Sequence, residues 1–449
     1  MFPGAIAIIF EEASTVRRLN AIILVVGIMA SISVRAFTPD PFPRLASVNV
    51  SEPMNFDDPT YQASLSRFNL MFLMVYPGWD SGRSMTMNQS VTAIKKINPA
   101  AKVFLYSIVE SMVASYPTNS AIVSKINSMN WWLYPNGTSG TPVPSTFPGA
   151  TTVNTTLFGP TDSNGNHWVD WYAKFAVQNY ITPNPAVDGL FTDNVFVHPS
   201  VYGDWNLDGV TDSPTNPTVQ QWYQQGYVHY FSTLKQLMPG RYMIGNVSEW
   251  GQAGANLTAY SGMLNGGIIE GLIGPSWATE TWGGWSAMIA SYRQVMAAIA
   301  APQLLIFSAQ GLPTDYQTLR YGLASCLLDE GYFEFTNINS NYSGVIWFDE
   351  YNVKLGLETS PPARSAWQKG VYRRDFQNGI ALVNPKGNGS QTVQLETNYR
   401  RISGTQDPVT NNGQVTNTVT LNDRDGIILL RLQPLPVPVP NAPASISVH

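Results

Sequence analysis

The chain has 449 residues, of which only 12% are charged, against about 25% in an average soluble domain. It carries 25 Lys and Arg, 30 Asp and Glu and no basic cluster, which excludes nucleic acid as a partner because phosphate binding needs concentrated cations. Its single cysteine, Cys326, excludes intramolecular disulfides and multi-cysteine metal sites. The four histidines include no pair at the spacing of metal ligands, so any catalysis would depend on carboxylates.

The N-terminal segment, residues 1–36, has the pattern of a secretory signal peptide. Two arginines precede an apolar run at residues 21–34, and a small-residue cleavage site stands before Phe37. The run is shorter than the about 18 apolar residues of a membrane span. An uncleaved N-terminal anchor is the alternative. Both interpretations predict a secreted, periplasmic or cell-surface protein with no stable membrane domain beyond this segment.

Residues 37–365 alternate short apolar runs with helical patterns, which is typical of a parallel sheet with crossover helices. The predicted strands are residues 68–76, 103–109, 131–134, 187–193, 242–246, 268–273, 303–308 and 332–336. Helical patterns lie between most of them, at residues 90–97, 119–128, 169–180, 218–238, 286–300 and 315–328. Eight strands with intervening helices predict an α/β fold, the (β/α)8 TIM barrel. The third strand and the fifth helix are weakly marked.

After the barrel the pattern becomes all-β. Residues 366–433 contain six short apolar runs separated by turn signals such as Gln377-Asn378-Gly379. They predict a small β-sandwich domain that packs against the barrel. Residues 434–449 are rich in proline and predict a tail or linker.

Two carboxylates stand where a barrel places its active site, at the carboxyl ends of strands. Asp193 ends the fourth predicted strand, and Glu270 interrupts the apolar sixth strand. Glycosidic cleavage requires such a pair, one group ionised and the other protonated. The alternatives are that Asp193 only caps the following turn and that Glu270 belongs to a buried ion pair. Glu249, after the fifth strand, competes with Glu270 for the acid role.

Aromatic and polar residues are predicted at the same end of the barrel. Aromatic rings can stack on the C–H faces of sugars, and polar groups can bind sugar hydroxyls. The candidate substrate-binding residues are Tyr76, Trp79, Asp80, Glu110, Trp131, Asn194, His198, Asn246, Trp250, Trp277 and Trp282. Ordinary loop packing is the alternative for each aromatic residue. The scarcity of charge favours a neutral polysaccharide or oligosaccharide as the partner.

The loop after the fourth strand is similar to a calcium-binding loop. Oxygen ligands would come from Asp204, Asn206, Asp208, Asp212 and the main-chain carbonyl of Val210. Thr215 replaces the glutamate that closes a full EF-hand loop. We therefore expect a weak structural Ca²⁺ site and no organic cofactor. A plain polar turn is the alternative.

Several segments carry a resemblance to a known family. They are residues 187–194, Ile269-Glu270-Gly271, residues 321–333 and residues 372–385. Together they resemble extracellular glycoside hydrolases with a (β/α)8 barrel and a C-terminal β-sandwich, over about residues 68–432. A more distant similarity is to the α-galactosidase clan, which implies Asp193 as the nucleophile and Glu270 as the acid/base. Because this chain has Glu where that clan has Asp on the sixth strand, the roles and the retaining stereochemistry stay open.

The sequence therefore predicts a secreted glycoside hydrolase that cleaves O-glycosidic bonds with two carboxylates. Two alternatives come from other classes of protein. One is a carbohydrate-binding barrel without catalysis. The other is a polysaccharide lyase, which would need a basic residue near an acidic sugar and is disfavoured by the lack of a basic cleft.

Overall fold

Eight parallel strands form the main sheet of the computed structural model, which describes residues 40–340 and 342–435. The strands are β1 Ala46–Asn49, β2 Leu70–Leu73, β3 Lys102–Ile108, β4 Gly189–Asp193, β5 Tyr242–Asn246, β6 Gly266–Ile273, β7 Leu304–Gly311 and β8 Tyr332–Asn337. Each pairs with the next along the chain. The Phe333 N–H donates to the Arg44 carbonyl at 2.8 Å, which connects β8 to the start of β1. The predicted (β/α)8 barrel is thus confirmed. Residues 1–36 and most of residues 434–449 lie outside the described parts.

The eight strands differ from the predicted set in one member. Residues 131–134 are not a barrel strand, and that prediction is wrong: Trp132 forms only an isolated bridge with Val153. The run is apolar because it is buried in the long excursion between β3 and β4, where Trp131 packs on Trp168. The missing strand is β1, whose four residues alternate between apolar and polar and so do not form a continuous apolar run. The predicted fourth and sixth strands, residues 187–193 and 268–273, correspond to β4 and β6 of the structure.

Seven α-helices are present in the described residues. They are α1 Pro59–Leu65, α2 Met87–Ile97, α3 Ser120–Met129, α4 Trp168–Ala176, α5 Pro217–Leu237, α6 Thr279–Ala298 and α7 Tyr316–Leu327. Local sequence sets several starts: Thr86 and Gln89 form a reciprocal capping box at α2, and Asn216 caps α5. Between β5 and β6 stands only the short 3-10 helix Ser248–Gly251. None of these helices is long and apolar enough to cross a membrane.

The strands bury both of their faces. Alternate side chains fill the inside of the barrel, where the rings of Phe72 and Phe191 stack with centroids 3.9 Å apart. The other alternate set packs against the helices. Such two-sided burial explains why the strands read as continuous apolar runs. An ionisable residue within them is therefore conspicuous.

The all-β domain predicted after the barrel is confirmed. Its antiparallel strands are β9 Tyr372–Asp375, β10 Gly379–Asn384, β11 Gln391–Arg401, β12 Val415–Leu421 and β13 Asp425–Arg431, in the order β9-β10-β13-β11-β12. The sheet packs on α7 of the barrel. A Cβ on Gly426 would lie 2.6 Å from the Arg320 carbonyl, so only glycine allows this approach. Barrel and sheet belong to one compact unit.

Candidate active site

Three neighbouring strands bring two carboxylates to one amide. Asp193 ends β4, Asn246 ends β5 and Glu270 lies in β6. The Asn246 Nδ2 donates to Asp193 Oδ1 at 3.1 Å and to Glu270 Oε2 at 2.8 Å. The Ser248 hydroxyl donates to Asn246 Oδ1 at 2.6 Å, and the Ser248 main-chain N–H donates to the same oxygen at 3.2 Å. Because a main-chain N–H can only donate, this second contact assigns the orientation of the amide. The structure thus joins the two predicted catalytic residues through a predicted substrate-binding residue.

Each carboxylate also accepts a phenol hydrogen bond. The Tyr106 hydroxyl donates to Asp193 Oδ2 at 2.7 Å, and the Tyr342 hydroxyl donates to Glu270 Oε1 at 2.5 Å. The Asn194 main-chain N–H adds a third bond to Asp193, at 2.9 Å. Tyr342 has φ 59°, a left-handed conformation that is unfavourable for a bulky residue. Strain of this kind is concentrated at functional sites.

The pKa values of the two carboxyl groups are affected by different surroundings. Burial raises the pKa of Asp193, and the hydrogen bonds from Tyr106, Asn246 and the Asn194 N–H oppose that rise. Burial also raises the pKa of Glu270, and the nearby charge of Asp193 raises it further. Glu270 has two opposing hydrogen bonds, whereas Asp193 has three. The surroundings therefore stabilise the ionised form of Asp193 more than that of Glu270.

Two more predicted acids lie beside this pair. Glu110, directly after β3, is buried and accepts from the Asn194 side-chain amide at 3.2 Å. Glu249 accepts from the Val197 N–H at 3.3 Å and lies 3.8 Å from His198 Nε2. Burial raises the pKa of both carboxyls. Glu249 therefore contacts the β4 loop, while Glu270 shares Asn246 with Asp193.

The sequence-based analysis missed three residues of the site: Tyr106, Tyr342 and Glu334. Glu334 is buried in β8 and accepts from the Ser308 hydroxyl at 2.8 Å and the Thr336 hydroxyl at 2.7 Å. Burial raises its pKa to about 7, and the charge of Glu270 contributes to the rise. The signal that identified Glu270, an acid within an apolar strand, also applies to Glu334. Tyr342 stands in a loop and has no such signal.

The predicted aromatic residues divide by exposure. Trp79, Trp131 and Trp250 are buried, and the indole N–H groups of the last two donate to main-chain carbonyls. They have the loop packing named as the alternative. Trp277 and Trp282 are 55% and 80% exposed. Of the predicted tryptophans, these two are the ones whose rings are accessible to a ligand.

Trp277 lies against the main chain beside Glu270. Gly271 has φ 61°, and a Cβ there would stand 2.0 Å from the Trp277 ring. Only glycine satisfies both the backbone conformation and the close approach. The indole is therefore held next to β6, beside Glu270.

The remaining polar candidates have local partners. Asp80 accepts from the Met87 N–H at 2.8 Å and lies 3.7 Å from Arg83, at the start of α2. Tyr76 meets the Trp79 ring edge-on at 5.0 Å. His198 Nδ1 lies 3.0 Å from the Pro199 carbonyl. These residues stand around the site without a direct bond to Asp193 or Glu270.

The acidic loop at residues 204–212 is organised by its own backbone. Asp204 accepts from the N–H groups of Gly137, Asp208 and Gly209, and Asp208 accepts from the Val210 N–H and the Asn206 amide. Asp212 accepts from the Trp205 N–H at 3.0 Å. Across residues 40–340 and 342–435, no group of three His, Cys, Asp or Glu side chains is placed to hold a metal ion. The calcium site stays a prediction.

Comparisons with known proteins give one family and several similar folds. Residues 95–380 match the family described as hypothetical glycosyl hydrolase family 15. An Anoxybacillus alpha-amylase is 10% identical, with a TM-score of 0.48 over 88% of this chain and 98% of that chain. Eubacterium rectale Amy13B is 9% identical, with a TM-score of 0.49 over 88% and 97%. The GH36 alpha-galactosidase AgaA from Geobacillus stearothermophilus is 9% identical, with a TM-score of 0.42 over 87% and 55%. No match is found among curated proteins.

Proposed function

The chain belongs to hypothetical glycosyl hydrolase family 15 and is a glycoside hydrolase; from this premise we propose that it cleaves a neutral polysaccharide or oligosaccharide with Asp193 and Glu270. The observation that carries the proposal is the shared amide of Asn246, which donates to both carboxylates. A glycosidase needs two acids on either side of one sugar bond. Asn246 holds them at that relation before substrate arrives.

The proposed roles follow from the donors around each acid. Asp193, with three hydrogen bonds, attacks the anomeric carbon while the protonated Glu270 gives its proton to the departing glycosidic oxygen. Glu270, now ionised, then takes a proton from water as that water displaces Asp193 from the sugar. The enzyme returns to its starting protonation state, and the product keeps its anomeric configuration.

The spacing of the carboxylates supports retention over inversion. Asp193 Oδ1 and Glu270 Oε2 both lie within 3.1 Å of one nitrogen, so they are at most about 6 Å apart. Carboxyl groups stand about 5–5.5 Å apart in retaining enzymes and about 6.5–9.5 Å apart in inverting ones. This separation leaves little room for the water that an inverting enzyme places between its general base and the sugar.

The charges around the site support an uncharged substrate. In the part of the chain that the structure describes, no Lys or Arg forms an ion pair with Asp193, Glu270, Glu110 or Glu334. A sugar carboxylate bound there would face these four acids, with no Lys or Arg of the described residues paired to them to offset the repulsion. A polysaccharide lyase, which binds acidic sugars, is correspondingly disfavoured.

The test is hydrolysis of a defined panel. We expect the chain to release reducing ends from at least one of soluble starch, galactomannan, xylan and a mixed-linkage β-glucan, and none from polygalacturonate. Proton NMR of the first product should show the anomer of the substrate. Inversion would contradict the nucleophile role of Asp193.

Glu270→Gln sharpens the same test. We expect kcat on the cleaved polysaccharide to fall by about 10²–10⁴ because the leaving oxygen is no longer protonated. A dinitrophenyl glycoside of the same sugar should lose much less, since its leaving group needs no proton. Full activity of Glu270→Gln on the polysaccharide would overturn the assignment.

We also propose that the protein is exported. The support is the arrangement of residues 1–36, which has the charged, apolar and small-residue regions of a signal peptide. Mass spectrometry of the mature protein from the culture medium should give an N-terminus at Phe37. A mass that retains residues 1–36 would favour the anchor instead.

A further inference from the structure

The exposed tryptophans belong to a segment that is separated from the body of its helix. Residues 275–284 connect β6 to the body of α6 and carry Trp277 and Trp282. Gly284 is non-helical (φ 74°, ψ 174°), so the first turn of α6 does not continue directly into the rest of the helix. The N-cap residue Ala278 makes no side-chain cap. Because the helix does not continue through Gly284, contacts with other parts of the protein help to fix the position of this segment.

One such contact is a buried ion pair with the all-β domain. Glu280, in the first turn of α6, has a side chain only 1% exposed. Arg424, in the turn before β13, donates through Nε to both Glu280 oxygens at 3.0 and 3.1 Å. It also donates to the Thr318 hydroxyl at 2.9 Å. Without Arg424, Glu280 would be a buried charge without a cation, so the pair resists separation.

A second contact stands at the other end of the segment. Trp285, directly after Gly284, is buried, and its ring lies 4.5 Å from that of Tyr372 in β9. Its indole N–H donates to the Ser325 hydroxyl at 3.0 Å. The all-β domain thus contacts α6 on both sides of the Gly284 break.

We propose that the all-β domain positions the exposed tryptophans as a sugar-binding platform beside Glu270, with Arg424 as the positioning residue. The inference rests on the proposed function, because the platform is useful only if a glycan lies across the carboxylates. Arg424 acts through Glu280 on the turn that carries Trp282 and, through Ala278, on Trp277. The domain thereby contributes to glycan binding without touching the glycan.

The first test is hydrogen exchange measured by mass spectrometry. In Arg424→Gln we expect the amides of residues 276–284 to exchange at least about tenfold faster, while those of β5 are unchanged. Arg320→Gln is the matched control: Arg320 also forms ion pairs across this interface, with Asp407 and Asp425, but none of the ion pairs among the described residues joins it to Glu280. Equal exchange of residues 276–284 in the two variants would overturn the proposal.

The second test separates binding from chemistry. On the polysaccharide of the panel that the chain cleaves, Arg424→Gln should raise KM severalfold with kcat within about twofold, and Arg424→Lys should recover part of the loss. Arg320→Gln should keep the wild-type KM. The same KM in both Gln variants, or a lower kcat at unchanged KM, would contradict the platform.

The two proposals fail in different ways. If the chain cleaves none of the panel, the proposed substrate class fails, while the exchange comparison still decides the positioning role. If Glu270→Gln is inactive and Arg424→Gln behaves like Arg320→Gln, only the positioning role fails. Should Arg424→Gln not fold, Glu280→Gln breaks the same pair from the barrel side and leaves a neutral group in the pocket.

Discussion

One aspartate stands at each end of β4, and the two have different hydrogen-bond partners. Asp188, directly before the strand, lies 2.6 Å from Lys95 Nζ and accepts from the Val103 N–H at 2.7 Å. Asp193, at the carboxyl end, has neutral donors: a phenol, an amide and a main-chain N–H. A neighbouring cation stabilises the ionised form of a carboxylate. A buried carboxylate whose donors are all neutral gains or loses a proton more readily.

The contrast extends around the barrel. At the amino ends of the strands, Glu330 pairs with Arg44 and Arg374, and Asp40 pairs with Lys102. Further along their strands, Glu270 in β6 and Glu334 in the middle of β8 accept hydrogen bonds from hydroxyl and amide groups. The first end holds its acids for stability. In the described residues no Lys or Arg pairs with the acids of the second group, so their burial costs stability.

We expect the largest difference in activity between two single variants in which Asp193 or Asp188 is replaced by asparagine. Asp193→Asn should lower kcat about 10³-fold or more, with little loss of stability, since it removes the nucleophile and a buried charge together. Asp188→Asn should keep kcat within about threefold and lose about 1–3 kcal/mol of unfolding free energy, because it breaks a charged hydrogen-bond network. Kinetics and urea unfolding measure both. An active Asp193→Asn would remove the distinction.

Glu334→Gln should stabilise the protein at high pH. The folded pKa of about 7 stands above the usual 4.5, so the folded state holds this proton more tightly, and stability falls as pH rises from about 4.5 to 7. Above pH 7 the variant should therefore be more stable than wild type by roughly 3 kcal/mol, and below pH 4.5 the difference should vanish. Urea unfolding at pH 4.5 and 8 measures it.

Glu330→Gln is the matched control for that measurement. Arg374 and Arg44 hold the pKa of Glu330 below its usual value, although burial acts in the opposite direction. This variant should lose stability at neutral pH, and the loss should shrink as pH falls below 4.5. The same pH dependence in both Gln variants would contradict the difference between the two ends of the barrel.

The sequence was most informative where burial made an acid conspicuous. Asp193 and Glu270 were predicted because each interrupts or ends an apolar strand, and the barrel topology then brings them to one edge. Their shared contact with Asn246 depends on strand register, which no local pattern encodes. Tyr342 reaches Glu270 from a loop 72 residues away through a left-handed backbone, so composition alone could not place it.

The same reasoning explains the incorrect strand. Residues 131–134 are apolar because loop packing buries them, and burial in a loop produces the same short run as burial in a sheet. The strand β1 was missed because Ser47 and Asn49 interrupt it. Asn49 is completely buried and donates to the Tyr61 hydroxyl and the Gly344 carbonyl, partners that only the folded chain supplies.

Replacing Tyr342 or Tyr106 with phenylalanine tests which acid controls each limb of the pH profile of kcat/KM. The Tyr342 hydrogen bond lowers the pKa of Glu270, so Tyr342→Phe should raise that pKa and move the alkaline limb of kcat/KM upward by roughly one pH unit. Tyr106→Phe should likewise raise the pKa of Asp193, which moves the acidic limb upward and narrows the profile. Each variant is the control of the other. Shifts on the opposite limbs would mean that the two acids have exchanged roles.

The acidic loop at residues 204–212 is a third kind of carboxylate environment. We expect the smallest effect there, a change in stability when Ca²⁺ is added. Its aspartates already accept backbone N–H groups, and we propose that Ca²⁺ adds a cation to them, as their spacing predicts. With a dissociation constant near 1 mM, 5 mM CaCl₂ should add about 1 kcal/mol and raise Tm by about 2 °C over the same buffer with a chelator. Asp208→Asn should abolish this difference, and 5 mM MgCl₂ should not reproduce it because Mg²⁺ needs a tighter octahedral shell. An equal Tm with and without CaCl₂ would mean that the backbone donors alone organise the loop.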